Sequence, residues 1–261
     1  MKSLIATLWA ESLKIRKSGI FWLSFVFFAF ITLMMGLLMF IQMHPEITGK
    51  LGIIGTKASL LRFGEPGWKN YFVLLNQGIA AIGCIGYGFV TSWVFGREYS
   101  DRTVKDILAL PVSRSYIVLS KFIVIVIWSI LLALVFFIFA IISGKIAGLP
   151  GWSVQVVSAF TRTFAAISLL SILLCTPVAF FASVSRGYLL PFAFIILTIM
   201  LANFTGIVGL GPYFPWSIPG ILSVPRNEDI HLTTVSYLIL SITSIMGYAG
   251  TLAWWRFSDQ K

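Results

Sequence analysis

The sequence predicts an all-α membrane protein with six transmembrane helices, and three observations carry that prediction. Of its 261 residues, 58% are apolar and only 11% are charged. With a mean hydropathy of +0.95, that is more apolar surface than one soluble core can hide. Uncharged runs occur six times, at 20–43, 71–95, 122–144, 163–185, 187–211 and 232–255. Each is long enough to cross a hydrocarbon layer of roughly 30 Å. The runs are also continuously apolar, whereas the strands of a membrane barrel alternate in polarity and are about half as long. The third span is taken from about 117 to 144, and residues 1–261 are read as one transmembrane domain.

Residues 2–18 read as an amphipathic helix lying in the membrane interface. Leu4, Leu8 and Ile15 share one face, Ile5 and Trp9 flank it, and Ser3, Thr7, Glu11, Lys14 and Lys17 gather opposite. The first apolar run outlasts the core of a cleavable signal peptide and is expected to remain as a span. Residues 44–70 form the first outer loop, too short for an independent domain. In the second span Ala80, Cys84 and Gly88 stand four residues apart, with Gly78, Gly83 and Gly86 nearby. Small residues at that spacing let another helix approach closely, within the chain or across a dimer interface.

Pro177 is expected to kink the fourth span, because proline removes a backbone donor and crowds the preceding turn. Arg186-Gly187 makes a short inner turn. Between spans five and six, Pro212, Pro215, Pro219 and Pro225 forbid a regular helix, while the aromatic residues among them favour the interface. A broken re-entrant or interfacial element follows.

Placing both termini in the cytoplasm puts twelve of the 19 lysines and arginines on the inner side and seven on the outer. That asymmetry favours a multi-pass cell-membrane protein with cytoplasmic ends. The formal charge of +10 fits anionic lipid headgroups as partners, not nucleic acid. Cys84 and Cys175 both fall inside spans and read as small packing residues.

The residue types that support catalysis are scattered. His44 and His231 are isolated, and no paired-cysteine or HExxH metal pattern and no G-x-S-x-G turn occurs. No ionisable residue is expected near the middle of any span, where gradient-driven proteins keep them. Gly49-Lys50 and Gly144-Lys145 lack the surroundings of a phosphate-binding loop. The chain is therefore expected to be no enzyme and to hold no cofactor, and any energy must enter from another polypeptide.

The port for that energy is the densely charged stretch 95–121. Thr103 and Asp106 are placed to cap a short helix, Val104, Ile107 and Leu108 form its apolar stripe, and Pro111 stops it. Glu98, Asp101, Arg102 and Lys105 flank it. A short cytoplasmic helix of this kind is suited to being gripped by a soluble protein.

Phe95, Glu98, Pro111, Ser113, Arg114 and Lys121 together resemble the signature of type-2 ABC transporter permeases, the six-span subunits of ABC exporters. In that signature Phe-x-x-Glu is followed by a short helix, Pro-x-Ser-Arg and a lysine opening the third span. The N-terminal segment from Glu11 to Trp22 is similar to the family's interfacial helix. Asp101 departs from the pattern, standing where the family usually has glycine. The compact loops look most like permeases of the bacitracin-resistance and lantibiotic-immunity group.

The resemblance implies a dimer with a second copy or a paralogue, and two ATPase subunits that bind ATP and Mg. The coupling contact would comprise Glu98, Asp101, Arg102, Thr103, Lys105, Asp106, Ile107, Leu108, Pro111 and Arg114. It implies export of an amphipathic or lipid-like cargo such as a peptide antibiotic. A scaffold or immunity protein that sequesters a membrane-active peptide without turnover is the alternative.

Overall fold

The computed structural model describes residues 2–44, 46, 64–109, 111–225 and 232–258. Most of the outer loop at 44–70, His231, and the side chains of Lys105 and Leu108 lie outside the described residues. The chain opens with α1 (Lys2–Arg16), which closes on Lys14 and Arg16 in its last turn, where cations suit the carbonyl end of the dipole. Ser18 then starts α2 (Gly19–Met43), its hydroxyl accepting from the Ile20 amide.

The second span is one long helical rod. α3 (Trp68–Gly78) runs through a π-helical turn at Ile79–Gly83 into α4 (Cys84–Ser100). A wider turn needs an extra residue per repeat, and π segments of this kind recur at functional sites. After α5 (Val104–Leu108), the third span is α6 (Arg114–Ile146), capped by Ser113. It begins eight residues before the uncharged run does, so Lys121 lies inside the helix. At about 1.5 Å per residue, the 33 residues of α6 outreach the hydrocarbon layer, and its first turns belong to the interface.

The fourth span differs from expectation in kind. α7 (Val154–Leu173) stops, and α8 (Thr176–Ser185) restarts with Pro177 in its first turn. Proline costs nothing there because the first-turn amides have no intrahelical partner. Pro177 thus opens a new helix where a kink in a continuous one was expected. Arg186 adopts a left-handed conformation, φ 54°, and the chain turns into α9 (Leu189–Ile207). The proline-rich stretch is broken as predicted: 3-10 turns at Gly211–Tyr213 and Pro215–Ser217 lead into α10 (Ile218–Ser223). Finally α11 (Thr234–Phe257) opens on a capping box between Thr233 and Ser236.

All six spans are thus present as helices long and apolar enough to cross a membrane. The second and fourth lie at the centre, each 56% buried along its most apolar stretch, against 17% for the fifth. Close backbone approaches set the packing. A Cβ on Gly88 would meet Ile195 at 2.6 Å, one on Gly86 would meet Phe28 at 2.5 Å, and one on Gly247 would overlap the backbone of Thr176 and Pro177. One hydrophobic cluster continues from Ile15 on α1 to Trp255 on α11.

Candidate functional site

The end of α4 carries Phe95 and Glu98 three residues apart, so both face inward on one side of the helix. Phe95 is fully buried, its ring 5.2 Å from that of Phe122 and 6.2 Å from that of Trp255. Glu98 is buried too, and its counter-ion is Lys121. The Lys121 side chain is fully enclosed. Its Nζ donates to Glu98 Oε1 at 2.8 Å, to Glu11 Oε2 at 3.0 Å and to the Val94 carbonyl at 3.3 Å. Three partners satisfy the three protons of an ammonium group.

Lys14 closes the ring, donating to Glu11 Oε1 and to Glu98 Oε1 at 3.0 Å each. Two carboxylates and two ammonium groups cancel, which is the condition for holding charge away from water. Glu98 Oε2 in turn accepts from the Thr103 hydroxyl at 2.6 Å. The residue before the short helix α5 is therefore tied directly to the buried cluster. One carboxylate joins α1, α4, α6 and the entry to α5.

The expected apolar face of α1, Leu4, Leu8 and Ile15, turns inward, but Glu11, Thr7 and Lys14 share it instead of gathering opposite. Glu11 is buried beside Ile15, and Leu4, Thr7, Leu8 and Lys14 are half-covered on the same side. Ile5, Trp9 and Leu13 are exposed instead. Glu11 seeks Lys121, and a separate apolar stripe at four-residue spacing faces outward. Lys121 lies in the first third of α6, clear of the middle of the span.

The other predicted residues divide into two groups. Val104 is buried, and Ile107 is half-buried against the core. Asp101, Arg102, Asp106 and Pro111 are exposed. The left-handed residue that ends α4 is Arg102, φ 57°. Asp101 keeps an ordinary helical conformation, so its position has no need of glycine. Arg114 is exposed as well, and its guanidinium donates to the carbonyls of Trp255 and Arg256 at 3.2 Å each, capping the end of α11.

Gly88 packs within the chain, against α9. Ala80 and Cys84 instead help to line a cavity of about 610 Å³ between the π turn, α9 and the proline-rich element. Its wall has no formally charged side chain among the described residues, and Gln77, Asn203 and Tyr237 supply polar atoms.

Six apolar spans carrying one buried charge ring, tied to a short helix in an exposed loop, define a multi-pass membrane protein. The model of the ABC-2 family transporter proteins matches residues 7–203, and the chain belongs to that family. It is similar to the bacitracin transport permease protein BCRB of Bacillus licheniformis, 27% identical over 200 residues, covering 76% of this chain and 94% of that protein. The chain is accordingly a membrane permease of the ABC type, a class of subunit that associates with an ABC ATPase.

Local sequence does not show how the ring is assembled. Lys121 stands in the family motif and Glu11 in the N-terminal helix, but nothing local says that they meet. The local signal is Glu11, Lys14 and Ser18 at spacings of three and four, polar residues on the same side as Leu4 and Leu8.

Proposed function

We propose that this permease exports an amphipathic or lipid-like cargo, such as a peptide antibiotic, using ATP hydrolysed by separate subunits bound at α5. In this reading both termini and α5 face the cytoplasm, and the permease pairs with a second copy or a paralogue. The bacitracin permease relative supports a peptide cargo. The uncharged cavity beside Ala80 and Cys84 supports an amphiphile, because carboxylates and phosphates would find no counter-charge there.

The observation that carries the proposal is the Thr103–Glu98 hydrogen bond on top of the charge ring. When the ATPase subunits close, they push α5. Through Thr103 and Glu98 the push is delivered to α1, α4 and α6 together, and the membrane end of the lever opens the cavity. Asp106 and the exposed residues around it form the gripping surface, while Glu98, Thr103 and Arg114 transmit force.

The test is Thr103→Val in the full complex reconstituted in liposomes. The expected result is normal assembly with the ATPase and normal basal hydrolysis, but loss of cargo-stimulated hydrolysis and of cargo export. Unchanged export would sink the lever. If the wild-type complex bound cargo but never moved it, the transport reading itself would fall.

A further inference from the structure

Beside the charge ring lies a second cleft, of about 470 Å³, whose walls include Lys17, Ser18, Trp93, Arg97, Asp101 and Tyr188. Lys14 borders it as well, but its ammonium group is committed to Glu11 and Glu98. Arg97 is balanced by Asp101 at 3.4 Å. It also donates to the Lys14 carbonyl and lies 4.9 Å over the Trp93 ring. Lys17 is different: it is exposed and forms no ion pair among the described residues. The cleft therefore carries one surplus positive charge. Open space lies beside Gly19 at the start of α2, whose first turn holds no acidic residue.

A second feature gives the ligand its shape. Along α4, Arg97, Trp93, Phe89 and Ile85 succeed one another at four-residue steps of about 6 Å on one face. Arg97 is half-buried at the cleft, Phe89 is exposed and Ile85 is half-exposed, while Trp93 is buried between them against Trp128 and backs the cleft. The order presented along this face is cation, phenyl, alkyl. That is the order a phospholipid presents from its phosphate inward.

We infer that this cleft binds one anionic phospholipid, with its monoanionic phosphodiester on Lys17 and Arg97 and an acyl chain along Phe89 and Ile85. One surplus cation matches one phosphodiester charge. A free phosphate would use the cation but has no use for the apolar stripe. The lipid would brace the joint between α1 and α2 against α4, next to the ring that holds Glu98. The inference concerns binding and is independent of transport.

The experiment follows thermal unfolding of the detergent-purified full chain during titration with phosphatidylglycerol, phosphatidylcholine or inorganic phosphate. Phosphatidylglycerol is expected to raise the unfolding midpoint saturably, and the other two are not. In Lys17→Gln the half-saturating concentration should rise about fivefold, as for one basic residue lost at an anionic surface. Lys145→Gln, at the far end of α6, should leave it unchanged, and Phe89→Ala should weaken the lipid response.

Four results would overturn the inference: no response to phosphatidylglycerol, an equal response to phosphatidylcholine, an equal loss in both lysine variants, or full reproduction by inorganic phosphate. So would spontaneous disulfide linking of Phe89→Cys copies in the membrane, which would give the stripe to a second chain.

Discussion

Lys121 is the most deeply buried charged residue among the described residues. With its side chain fully enclosed and two carboxylates at 2.8 and 3.0 Å, its removal strands negative charge that water cannot reach. Lys121→Met should destabilise the protein by about 3–5 kcal/mol, the usual cost of breaking a buried pair. Adding Glu98→Gln should restore part of that loss, because the stranded charge goes with it. Thermal unfolding of the two single variants and the double variant measures the coupling. Strict additivity would mean that the ring is not an electrostatic unit.

Arg102 offers a smaller test of opposite sign. It holds φ 57° with a side chain attached, a conformation that costs an L-residue roughly 1–2 kcal/mol and glycine almost nothing. Arg102→Gly should therefore stabilise the end of α4 by about 1 kcal/mol, read as a higher unfolding midpoint.

At the scale of elements, the break in the fourth span and the glycine of the sixth form one joint. Gly247 lies against the backbone of Thr176 and Pro177, and the Thr176 hydroxyl donates to the Ser244 carbonyl at 2.7 Å. Backbone cannot step aside as a side-chain tip can. Gly247→Ala should cost about 1–3 kcal/mol by overpacking, whereas Gly250→Ala, facing the ring of Phe180 at 3.2 Å, should cost less. Equal unfolding midpoints for the two variants would refute the joint.

Much at this scale was legible beforehand. Continuous apolar runs placed all six spans, and four prolines in a short stretch placed the broken element before α11. Helix ends were less legible. The run at 122–144 begins after Lys121, while α6 begins at Arg114, because a partner on another helix lets a lysine continue the helix inward.

At the scale of the whole molecule, the end of α4 and the start of α6 carry α5, the charge ring and Arg114 together on one side. That side is the proposed cytoplasmic face. Asp106→Cys in a cysteine-free background should react with a membrane-impermeant maleimide in inverted vesicles and not in intact cells. Labelling from outside would invert the topology and remove the coupling surface with it. The fifth span, the least covered of the six, presents Ile196, Met200 and Ile207 outward, toward lipid or a second subunit.

By itself the sequence determined the fold class, the number of spans and the position of the short helix α5. These follow from local composition and periodicity, which every stretch of chain carries whatever it later touches. Tertiary structure alone decided that Glu11 and Lys14 of α1 turn inward, why Lys121 is tolerated inside α6, and that Arg114 caps α11. The first two depend on Glu11 meeting Lys121 and Lys14 meeting Glu98, pairs more than eighty residues apart, where only a matched partner makes burial possible, and the third on Arg114 reaching carbonyls at the far end of the chain.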